Sequence, residues 1–378
     1  MGTPRDPSRG LIAAGVACLV VSSLCDSVRA PLLPLLSERF AAGYSRVSGF
    51  LAAGSFGALA FNLLALGPLA RLPDRGMVAL AAALQAAAML AAAAAPDLGT
   101  LVAAGVVWGA GNSALGMCAN LLVIRGAPPA VRPRALSLLH LFYGLSCVLP
   151  PLYVGAASSA GWGLARLLAV PAVLPALLAA GTLALPPGGG APPSVSLRGA
   201  LAAAPWGLGS VIALYVLGEV MTSMWLVALG TARGASLSSA GSVLSGFFLA
   251  LALGRAATAL WARAGSERVW VPAGLLVGAL GAALGGLGRP WGYVLAGFAF
   301  GPVFPLVMSR LSAEKEEGVR DALAFVYAAM VVVLAAGHRL MGWTAEAASP
   351  AAAGLLPPVF LLLALAVWTG AEASHGQA

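Results

Sequence analysis

The stretch PPGGGAPP, residues 186–193, lies at the midpoint of a chain of 378 residues. Proline has no amide hydrogen to donate and fixes its own backbone angle, and glycine favours no regular structure, so the stretch predicts a loop. Long apolar segments with almost no charge lie on both sides of it. We interpret 186–203 as a connector between an N-terminal half, 1–185, and a C-terminal half, 204–378.

The composition of the two halves indicates a membrane protein. Apolar residues make up 60% of the chain and charged residues 9%, whereas a soluble domain is about 25% charged. Because a bilayer-spanning helix needs about 20 apolar residues, twelve helices would use roughly 240, close to the apolar share of this chain. The apolar runs are long and unbroken, whereas the strands of a membrane barrel alternate, so the fold predicted is all-α.

The apolar runs and the turn residues between them predict twelve transmembrane helices, six in each half. In the N-terminal half they span 10–36, 46–70, 77–96, 98–124, 134–158 and 162–185. In the C-terminal half they span 204–230, 238–262, 270–288, 290–311, 320–342 and 350–371. Pro150-Pro151 in the fifth helix, and Gly301-Pro302 with Pro305 in the tenth, should kink or interrupt those helices.

The positive charges predict the orientation in the membrane. A net charge of +8 would suggest nucleic acid binding in a soluble protein, but lysine and arginine concentrate in the cytoplasmic loops of membrane proteins. If the amino end is cytoplasmic, 13 of them fall on that side and 4 on the other. The 13 are Arg5, Arg9, Arg71, Arg75, Arg125, Arg132, Arg134, Arg198, Arg263, Arg268, Arg310, Lys315 and Arg320, and the 4 are Arg39, Arg46, Arg233 and Arg289. This count predicts that both termini are cytoplasmic and that the protein spans the plasma (inner) membrane many times.

Several chemistries are not indicated. The sequence shows no metal-ligand spacing, no phosphate-binding loop and no arrangement of a nucleophile with a base. We therefore expect no enzyme, no metal and no cofactor. The four cysteines all lie inside apolar segments, where cysteine behaves as a small apolar residue, so we expect no disulfide.

The two halves carry matching sequence at matching places. The fifth predicted helix begins VRPRAL (131–136) and the eleventh begins VRDAL (319–323), and similar arginine- and glycine-containing turns follow the second and eighth helices. A repeat of six helices in parallel orientation is the plan of the major facilitator superfamily.

Four stretches resemble that superfamily and, within it, the fucose permease-like sugar symporters. They are DSVRAPLLPLL (26–36), RALSLLHLFYGLSCVLPPLYVG (134–155), SGFFLALALGR (245–255) and GFAFGPVFPL (297–306). The resemblance implies twelve helices in two pseudo-symmetric six-helix bundles, a small-molecule substrate and alternating access. It also implies loops that gate the substrate path, with Asp74, Arg75 and Arg263 as the candidates. The family's fourth-helix acid, one turn before an asparagine, is replaced here by Gly116, one turn before Asn120.

Charged side chains inside the predicted helices are candidates for substrate binding or ion coupling, because an ionisable group in a bilayer is costly and usually faces a cavity or a partner. Glu219 lies near the middle of the seventh helix, either to bond substrate or carry a proton, or to pair with an arginine elsewhere. Asp26 and Arg29 are three residues apart on one helix face and can pair, in a cavity or near the helix end. Arg255 in the eighth helix can extend to the membrane surface or bind an acidic solute.

Polar and aromatic residues extend the candidate set. His140 is able to titrate near neutral pH or, as we expect more often, to lie buried and neutral against a backbone carbonyl. Asn112 and Asn120, eight apart on one helix, can bond a hydroxylated ligand or a neighbouring helix. Trp225 lies deep in a helix, where it can stack on a sugar or simply pack.

Three functions remain open from the sequence. The first is a secondary active transporter of a small polar solute, with a sugar among the candidates, driven by a proton or sodium gradient. The second is an efflux carrier of amphipathic compounds, favoured by the apolar helix surfaces and by Gly116. The third is a non-transporting membrane receptor or scaffold, which would lead us to expect an added soluble domain. We expect a monomer in the lipid bilayer, without nucleic acid.

Overall fold

The computed structural model describes residues 8–65, 69, 72–128, 131–182, 204–263, 265–314 and 319–375. Over these ranges the secondary structure is helical, and twelve helical stretches are long and apolar enough to cross a membrane. The prediction of twelve transmembrane helices is therefore confirmed. The connector predicted at 186–203 lies outside the described residues, so the division of the chain there stays a prediction.

Contacts group the described residues into two units. The first unit comprises Met1–Arg29 and Ala53–Pro193, and the second comprises Ala30–Ala52 and Ser194–Ala378. The first two boundaries, after Arg29 and after Ala52, both fall inside helices. The segment Ala30–Ala52 therefore packs with residues of the C-terminal half, a grouping that the sequence did not predict.

The first unit holds helix α1, the later part of α3, and α4 to α9. Their bounds are α1 Arg9–Ser27, α3 Tyr44–Ala65, α4 Asp74–Ala93, α5 Leu98–Gly126, α6 Arg132–Ser146, α7 Leu149–Ser159, α8 Leu164–Ala169 and α9 Val173–Gly181. Its core is formed by α1, α3, α4 and α5, whose buried side chains include Cys18, Phe61, Ala81, Leu115 and Leu122.

Glycine allows α3 and α5 to cross closely. A Cβ atom on Gly109 would lie 1.7 Å from the carbonyl oxygen of Gly54, and one on Gly57 would lie 1.8 Å from that of Val106. Small residues at such crossings let two backbones approach, which is how membrane helices gain packing energy when lipid is as apolar as the side chains.

The start of α5 is fixed by Asp97, whose side chain accepts a hydrogen bond from the backbone amide of Thr100 at 2.8 Å. An oxygen at this position satisfies one of the amides that a helix start leaves unbonded. The hydrogen bonds from Thr100 lower the pKa of the Asp97 carboxyl. The break between the predicted spans 77–96 and 98–124 is thus a helix cap at Asp97.

The second unit holds α2, the first part of α3, and α10 to α17. Their bounds are α2 Arg29–Arg39, α10 Trp206–Thr231, α11 Leu237–Trp261, α12 Glu267–Gly286, α13 Pro290–Phe300, α14 Val303–Glu314, α15 Val319–Ala347, α16 Pro350–Gly354 and α17 Leu356–His375. Helix α10 is the most buried of the twelve spans and packs against α11, α14, α15 and α17. A charged side chain in the middle of α10 is therefore surrounded by protein.

Proline interrupts several spans, as predicted for two of them. The tenth span breaks between α13 and α14 at Gly301-Pro302, and the fifth breaks between α6 and α7, just before Pro150-Pro151. Proline cannot donate to the carbonyl four residues earlier, so the helix loses its bond there. The first span also breaks, at Val28, where Pro31 leaves the Ser27 carbonyl without that bond.

Within the second unit, α15 binds the start of α3 through two charged side chains. The backbone amide of Ser45 donates to the Glu346 carboxylate at 2.9 Å. Arg339 donates to the carbonyl oxygen of Ser45 and, at 3.3 Å, to the hydroxyl of Ser48. We call Arg339, Glu346 and their partners Ser45 and Ser48 the α3 clasp. A carboxylate at a helix start is favoured because the amides there present partial positive charge.

Candidate functional site

Glu219 on α10 and Arg255 on α11 form an ion pair inside the second unit. Glu219 Oε1 lies 3.7 Å from Arg255 Nη2, with side chains 16% and 25% exposed. Arg255 therefore turns toward the acid of the neighbouring helix, and Glu219 has the arginine partner that one interpretation of the sequence allowed. The partner that Glu219 needs in a low-dielectric environment is this arginine.

The other oxygen of Glu219 is bonded to a tyrosine. The hydroxyl of Tyr215, one turn earlier on α10, donates to Glu219 Oε2. The same hydroxyl lies 2.9 Å from the carbonyl oxygen of Phe300, the last residue of α13. Tyr215 is 1% exposed and Phe300 is fully buried, so the hydroxyl and the Phe300 carbonyl oxygen meet away from solvent.

Asp26 and Arg29 form a second ion pair, in the first unit. Arg29 Nη2 bonds to Asp26 Oδ1, and the two side chains are 13% and 12% exposed for Asp26 and Arg29 respectively. The pairing predicted from their spacing is observed. A second guanidinium nitrogen, Nη1, lies beside Gly54, where an added Cβ atom would come within 2.9 Å of it.

The side-chain amides of Asn112 and Asn120 on α5, and of Asn62 on α3, form hydrogen bonds with other protein groups. Ser22 donates to the Asn112 side-chain oxygen at 2.6 Å, and Ser113 donates to that of Asn62 at 2.8 Å. Asn120 donates to the carbonyl oxygen of Gly116, within its own helix, at 2.9 Å. For Asn112 this is the interhelical bond that the sequence allowed.

There is open space beside Gly116, at the position where the resemblance to sugar symporters led us to expect an acid. A Cβ atom on Gly116 would meet no other atom within 4 Å. Close packing therefore does not require glycine at this position.

Trp225 packs within a ring of aromatic and polar groups near the end of α10. It is fully buried, its indole nitrogen donates to His338 Nδ1 at 3.3 Å, and Tyr44 meets it edge-on with ring centroids 6.0 Å apart. The Tyr44 hydroxyl donates to the carbonyl of Ala228 at 3.3 Å. Packing and hydrogen bonding account for Trp225 in this arrangement.

His140 differs from its expectation. It lies on α6 with an exposed side chain, so the buried histidine expected from the sequence is wrong. Much of α6 is exposed around this residue, since Leu138, Leu141, Phe142 and Leu145 are exposed as well.

The three gating-loop candidates lie at helix ends. Asp74, in the first turn of α4, pairs with Arg125 in the last turn of α5. Arg75 is exposed. The backbone amide of Arg263, just after α11, donates to the Ser266 hydroxyl at 3.1 Å. Residues 66–68, 70–71 and 264 of these loops lie outside the described part of the chain.

Sequence reasoning missed Tyr215, Phe300 and His338. Tyr215 had a visible signal, since it stands four residues before Glu219 and so lies on the same helix face. Phe300 and His338 are 85 and 113 residues away from their partners along the chain, and their pairing depends on how the helices pack. Among the described residues, no group of three histidine, cysteine or acidic side chains converges as a metal site would.

The twelve apolar helices in the described part of the chain define an integral, multi-pass membrane protein. The family described as "Major Facilitator Superfamily" matches residues 15–320, and the chain belongs to that superfamily. The family and the similar structures indicate a transporter rather than an enzyme, with a small-molecule substrate.

Solved transporters share the fold at low identity. A bacterial homologue of the human lysosomal transporter Spinster, inward-facing and occupied, is 16% identical over 98% of each chain, with a TM-score of 0.77. The D-xylose–proton symporter is 14% identical over 93% of this chain and 96% of its own, with a TM-score of 0.69. The nucleoside transporter NupG is 12% identical over 94% and 99%, with a TM-score of 0.73. A search of curated protein sequences finds no significant match.

Proposed function

We propose that the protein is a secondary active transporter that moves a small polar solute, with sugars the first class to test, by alternating access coupled to a proton. The observation that carries the proposal is Glu219, a carboxylic acid in the middle of the most buried span, held between Arg255 and Tyr215. An acid is retained in such a place at a cost of about 2.5–3.5 kcal/mol on insertion scales, and intramembrane acids typically belong to ion or proton paths.

The charge balance of the two ion pairs favours a neutral solute. Asp26 is paired with Arg29 and Glu219 with Arg255, so neither pair presents a net charge to a ligand. Hydroxyl groups of a sugar can accept from a guanidinium and donate to a carboxylate without leaving either charge unpaired. The D-xylose–proton symporter among the similar structures supports the same first choice.

Glu219 is the better proton carrier of the two acids. The distance of 3.7 Å from Glu219 Oε1 to Arg255 Nη2 is longer than a hydrogen bond. Asp26 and Arg29, in contrast, are hydrogen-bonded to each other. The Glu219–Arg255 pair is therefore the looser of the two ion pairs. With Gly116 in place of the family acid, Glu219 is the group we assign to the proton.

The proposal places the protein as a monomer in the plasma membrane with both termini cytoplasmic. The support is the count of 13 against 4 basic residues for that orientation. The connector 186–203 would then be cytoplasmic.

The experiment is transport by the purified wild-type protein in proteoliposomes. Thermal stabilisation first selects ligands from a panel of sugars, organic acids and amphipathic drugs, because binding to the folded state raises apparent stability. Uptake of each ligand is then measured with and without an imposed pH gradient. Sugar accumulation that requires the gradient is expected. Stabilisation and export of drugs alone would favour the efflux carrier, and binding without transport would favour a receptor.

A further inference from the structure

The hydroxyl of Tyr215 lies between two oxygen atoms that both accept hydrogen bonds. One is Glu219 Oε2 and the other, 2.9 Å away, is the carbonyl oxygen of Phe300. A phenol carries a single hydrogen, so it cannot donate a full bond to both. Which acceptor receives that hydrogen depends on whether Glu219 carries a proton.

With Glu219 ionised, the carboxylate is the stronger acceptor, because a charge-assisted hydrogen bond is roughly twice as strong as a neutral one. Tyr215 then donates to Glu219, and its bond to Phe300 is lost. With Glu219 protonated, the acid has a hydrogen of its own to donate. It gives that hydrogen bond to the Tyr215 oxygen, and the Tyr215 hydrogen turns to the Phe300 carbonyl.

We propose that Tyr215 is a positioning residue that transmits the protonation state of Glu219 to the break in the tenth span. The inference rests on the proposed function, in which Glu219 takes up and releases the transported proton. One proton binds to a Glu219 oxygen, one hydrogen bond reverses its direction and one moves to Phe300. No covalent bond other than that O–H forms or breaks.

The carbonyl oxygen of Phe300, the last acceptor in this series of hydrogen bonds, lies at a break in a membrane-spanning helix. Phe300 is the last residue of α13, and Gly301-Pro302 separates it from α14. The backbone at this break lies directly on α11, since a Cβ atom on Gly301 would fall 2.5 Å from the backbone nitrogen of Arg255. The proton acceptor, its arginine and the helix break therefore meet at one place.

The charged groups near Glu219 differ in whether they pair with it or with other residues. Arg255 on α11 is the charged residue that the described structure places within ion-pair distance of Glu219. Several titratable and charged groups on the other helices packed against α10 bond elsewhere. His338 of α15 bonds to Trp225, and Arg339 and Glu346 of α15 bond to Ser45. Arg310 of α14 pairs with Glu314 and Glu372, and Glu372 of α17 pairs also with Arg268. Tyr293 of α13 lies beside Arg233.

The test uses carbonyl chemical shifts in the full-length protein in lipid. Labelling phenylalanine with carbonyl ¹³C and glycine with ¹⁵N produces a bonded pair wherever Phe precedes Gly, which occurs at Phe56-Gly57 and Phe300-Gly301. A carbonyl carbon moves downfield when its oxygen gains a hydrogen bond. On acidification we expect the Phe300 signal to move downfield while the Phe56 signal, from the first unit, stays in place.

Two variants and a control sharpen the result. In Glu219→Gln the amide oxygen can face Arg255 and the NH₂ group can donate to Tyr215, so the Phe300 signal should hold the acid position at every pH. In Tyr215→Phe it should not respond to pH, and uphill accumulation should be lost while downhill exchange persists. Tyr153→Phe removes a hydroxyl of the first unit that donates to the Leu167 carbonyl at 3.3 Å, and should leave the response unchanged.

Infrared difference spectra separate failure of this inference from failure of the proposed function. A protonated-carboxyl band that appears on acidification in the wild type, and is missing in Glu219→Gln, establishes that Glu219 binds a proton. If that band is present and the Phe300 signal does not move, the role of Tyr215 is wrong and the proton site stands. If the band is missing throughout the pH range, Glu219 does not carry the proton and both are overturned.

Discussion

The carboxylate of Glu219 and the guanidinium of Arg255 lie 3.7 Å apart across two helices that both cross the membrane. Removing one member of a buried pair leaves the other charge uncompensated, which costs about 3–5 kcal/mol when burial is complete. Because Arg255 is a quarter exposed, we expect Arg255→Met to lower the free energy of unfolding by about 2 kcal/mol, below that range. The double variant Glu219→Gln/Arg255→Met should recover most of the stability lost in Arg255→Met, as measured by thermal unfolding. A double variant no more stable than Arg255→Met would contradict the pairing.

The crossing of α3 and α5 predicts a large effect from one methyl group. Gly109→Ala would place a Cβ atom 1.7 Å from the Gly54 carbonyl, so the helices must separate, at a cost of about 1–3 kcal/mol for overpacking. The measurement is the unfolding midpoint in detergent.

Gly116→Ala is the matched control for Gly109→Ala on the same helix, because its Cβ atom meets nothing within 4 Å. Alanine is favoured over glycine in a helix interior by about 1 kcal/mol, so this variant should be as stable as the wild type or slightly more so. Equal destabilisation by the two alanines would show that the close crossing is not the cause.

The α3 clasp predicts local rather than global change. Glu346→Ala removes the acceptor for the Ser45 amide, so hydrogen exchange at the first turn of α3 should become several-fold faster. Glu38→Ala, which removes an exposed acid from the end of α2, is the control and should leave that turn unchanged. Identical exchange in wild type and Glu346→Ala would contradict the clasp.

The orientation is tested by reporter fusions. The excess of basic residues on one side predicts cytoplasmic signals from reporters placed after Gly190 and at the carboxyl end. An external signal from either position would overturn the predicted orientation, whatever the solute.

The sequence predicted the spans and their proline breaks because both depend on local properties. Apolar length sets a spanning helix, and a missing amide hydrogen at Pro302 interrupts one. The pair Asp26 and Arg29 was visible for the same reason, since a spacing of three places two side chains on one helix face.

Partners across the fold were not predictable in that way. The sequence shows that the charge of Glu219 needs a partner, and several arginines could supply it. Which arginine does so depends on how the helices pack, and in the structure it is Arg255. The grouping of Ala30–Ala52 with the second unit likewise depends on contacts such as that between Ser45 and Glu346, which are 301 residues apart.

The central claim is that Glu219 carries the transported proton, and one measurement tests it most directly. Glu219→Gln keeps the shape of the side chain and the hydrogen bonding of the protonated acid but cannot ionise. It is compared with wild type for uptake into proteoliposomes under an imposed pH gradient. We predict that uphill accumulation is abolished while downhill exchange of the solute partly survives. Normal gradient-driven accumulation by Glu219→Gln would contradict the claim and would assign the coupling to Asp26, to sodium or to no ion.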